Sequence, residues 1–476
     1  MRSIADNART GKILGVIAGC MVLGLLAFVV AHGTHKTFAI GVAVALAIPL
    51  CYLALQRPML FPFGVYAALV PFNDILSFGH LGTINGILGM LALAAVLFMI
   101  LRKGEFARPS PAMVAWLAVC GWMGLSGLWA IDPKEWQGQY LTFFELFALY
   151  AVTAMSITTK AELRELCTCV VTGGMAAAAV ALWPALHGNL IGPGGRLTLP
   201  GSDPSVPVDP NQFAAGLLLP FAILFATTLG TRKLGAMLAN TAGLGLIGIT
   251  IVLTGSRAAM LALAVLVMYT AFGSRRRLFG FAMIGLGLLA LIPFAAGVIN
   301  RWSTAIGSGG AGRTDIWSVA IIVLKEHWLV GTGLGSFPAA FNMAMLKAPL
   351  QAYVGWSRAP HDLVVGTLVE LGVVGFALVI LALALEFRDV ARLPAIGGFL
   401  GDLRIGCAAA LLAICTDALF LDVMIRKYLW LIFIMIALVR TTILGVVNTE
   451  QRRRLACARR SSLIADRTSM PERLSA

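Results

Sequence analysis

Runs of about twenty apolar residues, broken by short polar stretches, recur along the whole 476-residue chain. Each run is long enough to cross a bilayer as a helix. They fall near 13–31, 37–55, 59–72, 84–101, 112–130, 141–157, 166–186, 213–229, 236–253, 258–272, 278–299, 361–385, 405–421 and 428–444. The pattern predicts an all-α polytopic integral membrane protein with about 12–14 transmembrane helices. A transmembrane β-barrel would show short alternating segments instead. The run at 59–72 is short and is expected to be re-entrant or broken. The first run has a basic flank like that of a signal peptide, but a second run follows at once, so it reads as a retained helix. Residues 1–444 are thus expected to form a single transmembrane domain, and 445–476 a basic cytoplasmic tail.

Composition agrees. The chain is 59% hydrophobic and 12% charged, against roughly 25% charged in soluble proteins. Most of the 36 Lys and Arg fall in alternate loops such as "RKGEFAR", "GSRRR" and "QRRRLACARR", which marks that side as cytoplasmic. The net charge of +14 is therefore mainly a topology signal, and no nucleic-acid module accompanies it. The eight cysteines lie in spans, at their cytoplasmic ends or in the tail, so a disulfide framework is not expected.

Two outer loops are long. The first, 187–212, is rich in Gly and Pro and reads as a turn-rich loop. The second, roughly 300–360, is expected to carry an amphipathic helix from Thr314 to Trp328, with Thr314 as N-cap. Its apolar stripe, Ile316, Val319, Ala320 and Val323, suits the membrane surface. There is no nucleotide-binding motif, no Asp-x-Asp and no His-Glu-x-x-His, so neither ATP, nor a metal, nor another cofactor is implied.

Four outer arginines stand out: Arg196, Arg257, Arg313 and Arg358. A guanidinium near hydrocarbon is costly unless it snorkels or meets an anion. Its fork matches phosphate oxygens in a way that Lys does not. Several such groups around one cavity would suit a lipid pyrophosphate, although a lone outer-loop arginine also serves as a headgroup anchor. Arg257 is flanked by Gly255, Ser256, Ala258 and Ala259, small residues that permit close backbone approach.

His361 opens the run 361–385, beside Asp362 and after Pro360, which suits a helix's first turn. At 100° per residue, Gly372 lies about 20° from His361 around a continuous helix and Gly375 about 40° to the other side. That glycine stripe would pack closely on a neighbour and turn His361 inward. An imidazole with a pKa near ~6.5 can take a proton from a sugar hydroxyl at neutral pH. Capping the helix against a headgroup is the plainer role. Glu370, nearly opposite, is expected to be a structural hydrogen-bonded group.

Four pieces together resemble the O-antigen ligase/polymerase family: "GRLTLPGSDPSVPVDPNQFAAGLLLP", "SRAAML", "GRTDIWSVAI" followed by "LVGTGLGSF", and "HDLVVGTLVELGVVG". The resemblance covers about 190–380 in motif detail, and Asp362 stands where Asn is commoner. It implies a GT-C-like, metal-independent, inverting glycosyltransferase in the bacterial inner membrane, with its active site facing the periplasm. The donor would be a glycan on undecaprenyl pyrophosphate, held by Arg196, Arg257 and Arg313. His361 would sit by the acceptor hydroxyl as base or positioner, with Arg257 beside it in catalysis and with Asp362 and Arg358 as accessory groups. The acceptor is another lipid-linked glycan for a polymerase of O-antigen or exopolysaccharide, or lipid A–core for a ligase of lipopolysaccharide. A transporter or flippase for an anionic lipid-linked substrate is the competing reading. It should show inverted repeats and charges at mid-bilayer. A scaffold of a polysaccharide assembly complex is a third.

Overall fold

A computed structural model describes residues 49–76, 83–188, 192, 195–201, 207–290, 292, 313–348 and 355–469; of Ala290, Arg313, Thr314 and 456–469 only the backbone is described. The fold is all-α, and no β-strand occurs among the described residues. The helices are α1 (Phe63–Leu69), α2 (Ile84–Lys103), α3 (Pro111–Leu125), α4 (Pro133–Ala154), α5 (Lys160–Leu186), α6 (Pro210–Gly216), α7 (Leu218–Gly230), α8 (Leu234–Leu253), α9 (Arg257–Gly273), α10 (Arg277–Ala290), α11 (Arg313–His327), α12 (Phe337–Ala344), α13 (Leu363–Ala391), α14 (Phe399–Ala418) and α15 (Lys427–Ser469).

Among the described residues, eight helical segments are long and apolar enough to span a membrane. The runs 13–31, most of 37–55 and nearly all of 291–299 lie outside the described residues; the described part of each other run is largely helical, with 213–229 divided between α6 and α7. The short run resolves as α1 followed by a 3-10 turn, Val70–Phe72, too short to cross. α15 continues past 444 into the basic stretch.

Helix starts follow their caps. Ser110, Asp132, Thr159 and Ser256 each accept a backbone N–H of the first turn through the side chain, and Thr159 completes a capping box with Glu162. α2 stops at Gly104, whose φ of 64° is cheap only for glycine.

A ring cluster from α3, α4 and α15 forms the centre. Trp116 lies 5.0 Å from Phe433 and 5.3 Å from Trp430 between ring centroids; Phe143 meets Trp430 edge-on at 5.1 Å. Each such pair adds about 0.5–1.5 kcal/mol beyond burial. The Trp430 indole N–H also donates to the Met424 carbonyl at 2.9 Å. That bond ties the core to the turn between α14 and α15.

Two expectations about the second long loop are corrected. α11 begins at Arg313, so Thr314 lies inside the helix and is not its N-cap. Its stripe of Ile316, Val319, Ala320 and Val323 is buried against Phe337, Phe341 and Val369. The stripe has a protein partner because α12 and α13 fold back over it, so it does not rest on lipid.

Candidate functional site

α13 does not begin at His361. Its N-cap is Asp362, whose Oδ1 accepts from Val364 N at 2.6 Å and Val365 N at 3.1 Å. A carboxylate is favoured there by the positive helix end. His361 therefore precedes the helix, and it sits at φ 50°, the left-handed region that a non-glycine residue enters at a cost of about 1–2 kcal/mol. Pro360 is buried before it rather than inside the first turn. The expected continuous stripe from His361 to Gly372 is corrected too: α13 breaks at Gly372, with φ 67° and ψ −174°.

The break has a tenant. Residues 328–336 run alongside it, with Thr332 N–H on Val369 O and Gly333 N–H on Glu370 O, both 2.9 Å, and Val373 N–H on Trp328 O at 2.9 Å. Trp122 Nε1 donates to Leu371 O at 3.0 Å. The main-chain groups freed by the break are thus paired, as a helix within a membrane bundle requires. Glu370 accepts from Phe337 N at 3.3 Å, holding the first turn of α12, which is the structural role the sequence suggests for it.

Arg196 and Arg257 meet through one turn. After α8, Gly255 turns at φ 63° and Ser256 Oγ caps α9 by accepting from Ala259 N at 3.3 Å. Arg257 is the first residue of α9. The small residues around it serve this turn and cap. Arg196 Nε donates to the Thr254 carbonyl at 2.6 Å, and Arg196 Nη2 to Asn211 Oδ1 at 2.7 Å. Alongside, Leu197 N–H bonds Leu253 O at 3.0 Å. Asp209-Pro210-Asn211 explains itself physically. Asp209 Oδ1 accepts from Asn211 N at 2.7 Å, capping α6, Pro210 occupies its first position, and Asn211 grips Arg196.

The chain of contacts goes on. Gln212 Nε2 donates to Asp422 O at 3.1 Å, and Tyr428 Oη donates to Gln212 Oε1 at 2.6 Å. Asp422 and Asp362 line one cleft, with Pro360, Gln139, Glu370 and Met424 among its walls. Burial pushes the Asp422 carboxyl above the usual aspartate range; Arg426, the Met424 N–H and the charge of His361 pull it back. Arg257, Arg196, Asp422 and His361 thus lie along one connected end of the bundle. Arg358 is exposed and packs over Gly355. Arg313 heads α11, and its side chain is outside the described residues.

Sequence reasoning missed Asp422, Arg426, Lys427 and Gln212. The signal was available, because "DVMIRKY" concentrates charge in the turn between the last two apolar runs. Among the described residues, no group of three or more His, Cys, Asp or Glu is placed to hold a metal ion.

Residues 242–380 match the family model described as O-antigen ligase. That segment contains Arg257, Arg313, Arg358 and His361, and leaves Arg196 and the 422–428 turn outside it. No curated protein matches the chain. The apolar helices indicate a multi-pass membrane protein, and the match supports activity of the broad O-antigen ligase/polymerase type. The similarity of the chain to O-antigen ligases thus lies in its segment 242–380, under a third of its length.

Proposed function

We propose that the protein transfers a glycan from undecaprenyl pyrophosphate to a sugar hydroxyl at the periplasmic face of the bacterial inner membrane, as a polysaccharide polymerase or an O-antigen ligase. The observation that carries this reading is the run of contacts from the Arg257 turn through Arg196, Asn211 and Gln212 to Asp422, beside His361. It joins cations suited to a pyrophosphate with an imidazole suited to a hydroxyl proton.

In this reading Arg196, Arg257 and Arg313 hold the pyrophosphate. The acceptor oxygen attacks C1 of the donor sugar as the bond from C1 to the pyrophosphate oxygen breaks. The acceptor proton passes to His361, and undecaprenyl pyrophosphate leaves with the bonding electrons. A single displacement inverts the anomeric centre. The arginines stabilise the charge that grows on the leaving oxygen, where fixed donors are worth most. Asp362 holds the first turn of α13 and so fixes the backbone that carries His361. The acceptor is a second lipid-linked glycan in a polymerase and lipid A–core in a ligase.

The test is a transfer assay on the purified full chain with an undecaprenyl-pyrophosphate-linked repeat from its own host, with EDTA added, and with or without lipid A–core. Chain growth without lipid A–core means polymerase; product only in its presence means ligase. His361→Ala and Arg257→Ala should lose either product. Absence of product in every tube, with folded protein and a verified donor, would overturn the reading in favour of transport or scaffolding.

A further inference from the structure

Along the 422–428 turn from the cleft lined by Asp362 and Asp422, a second cleft and the open space before it span about 400 Å3. Asn73, Gln212, Phe213, Arg426, Lys427 and Tyr428 line it, and Asp74 stands at its rim. Its cations are unusual. The Arg426 Nε is buried and has no hydrogen-bond acceptor among the described residues. Lys427 Nζ bonds only neutral oxygens, Asn73 Oδ1 and, at 3.0 Å, Thr83 Oγ1. Among the described residues neither cation forms an ion pair within 4 Å; the Asp422 charge acts on Arg426, and those of Asp74 and Glu145 on Lys427, from farther off.

Both cations also stand where helix geometry disfavours them. Lys427 is the first residue of α15 and Arg426 precedes it, so they add to the positive end of a long helix. A cation there is disfavoured, whereas an anion is welcome. Two adjacent cations and a helix N-terminus border one cleft, and the buried Nε of Arg426 leaves the rest of its guanidinium as the part that can face a ligand. Asp74 is exposed and already accepts from Asn73 Nδ2 at 2.8 Å, and Asp422 lines the neighbouring cleft.

The remaining walls are polar and aromatic. Gln212, Asn73, Tyr428 and Phe213 line them, with Gln212 and Tyr428 bonded to each other and each amide or hydroxyl oxygen keeping a second lone pair for a ligand. Gln212 adjoins Asn211, which holds Arg196, so the cleft borders the arginines assigned to the pyrophosphate. Resting on the proposed glycan transfer, we propose that this cleft is a saccharide subsite for an acidic sugar, whose carboxylate or phosphate is held by Arg426 and Lys427. It would select charged over neutral repeats.

The full-length protein in detergent is melted against galacturonate, galactose 6-phosphate, galactose and phosphatidylglycerol. Arg426→Gln, Lys427→Gln, Arg426→Lys and Arg257→Gln are melted beside wild type. At least one acidic sugar should raise the melting temperature saturably, and galactose should not. Arg426→Gln and Lys427→Gln should each raise the half-saturating concentration roughly tenfold or more. Arg426→Lys should recover part of it, and Arg257→Gln should leave it unchanged. The subsite is overturned if neither acidic sugar shifts the melt, if galactose shifts it equally, or if the shift survives both Gln variants. A shift by phosphatidylglycerol alone, lost in those variants, would overturn it in favour of a lipid headgroup. The readout is binding, so it stands even where the transfer assay gives no product. An active enzyme with no such binding loses this subsite and keeps its reaction.

Discussion

Gly372→Ala puts a single methyl group into the break in α13. Gly372 has φ 67° and ψ −174°, a region open essentially to glycine, and another residue there costs on the order of 1–3 kcal/mol. The added Cβ would also stand 2.2 Å from the Leu329 carbonyl oxygen and 2.6 Å from Val330 N. Those are backbone atoms in a segment clamped by the Gly333–Glu370 and Val373–Trp328 bonds, so they cannot swing away as a side-chain tip could. Overpacking of this kind adds about 1–3 kcal/mol. The expected destabilisation is therefore roughly 2–6 kcal/mol, a large share of what holds a domain folded. The assay is thermal unfolding in detergent, with Gly121→Ala as the comparison. Gly121 lies inside α3, and a Cβ there would meet nothing within 4 Å, so alanine should be neutral or stabilising by about 0.4–1 kcal/mol. Gly372→Ala should also lose transfer, since 328–336 positions α12 and the start of α13. A melt for Gly372→Ala matching wild type would refute the reasoning, because 328–336 could not then be seated against the break.

Arg196→Lys keeps the charge and loses the fork that spans Thr254 O and Asn211 Oδ1; one charge-assisted bond is worth about 1.5–3 kcal/mol, so transfer should fall roughly tenfold to a hundredfold in the assay above, and wild-type rates would sink the idea. His361→Gly and His361→Ala should both lose transfer, yet the glycine variant should melt higher because it relieves the left-handed backbone at φ 50°; equal melting temperatures would argue that no strain is stored there. Asp422 is held above the usual aspartate range by burial, so its contribution to stability is fully present below the unfolded-state pKa and is lost as pH rises through the folded-state value. Asp422→Asn should flatten that decline in a series of melts against pH, and an unchanged slope would count against it.

Much of the fold was legible because a bilayer leaves a chain few options. Apolar run length gave the helices; their starts are set by caps at Ser110, Thr159 and Ser256, which run length alone does not locate. The motif residues were legible as well, and Arg196 bonds the main chain of the turn that leads into Arg257. Two local readings failed because periodicity assumes an unbroken helix and is blind to partners distant in sequence. Projecting Gly372 back onto His361 across nine helical positions ignores the left-handed residues at both ends. The stripe on α11 was assigned to lipid because its protein partner, α12 with Val369, is distant in sequence. Asp422 and Arg426 went unread because a short charged turn between two spans looks like an ordinary topology signal. Only the fold places it beside Pro360 and Gln212.

The contacts also explain why the site extends beyond the segment that carries the family match. Residues 242–380 supply Arg257 and His361, which belong to separate helix beginnings. What connects them lies on both flanks. Arg196 reaches in from the N-terminal side, and its acceptor on the turn is the main-chain oxygen of Thr254. That bond depends on the shape of the turn, set by Gly255 at φ 63°, and not on the threonine side chain. Asp422 reaches in from the C-terminal side, and its link to the same network is again a main-chain oxygen, accepting from Gln212. Anchors made to backbone oxygens tolerate sequence change at the acceptor but not a change in chain path. The second cleft is framed differently: Phe213 is part of the core, and Lys427 ties Asn73 and Thr83 by side-chain bonds, so changes there would be felt both in the cleft and in the packing around it.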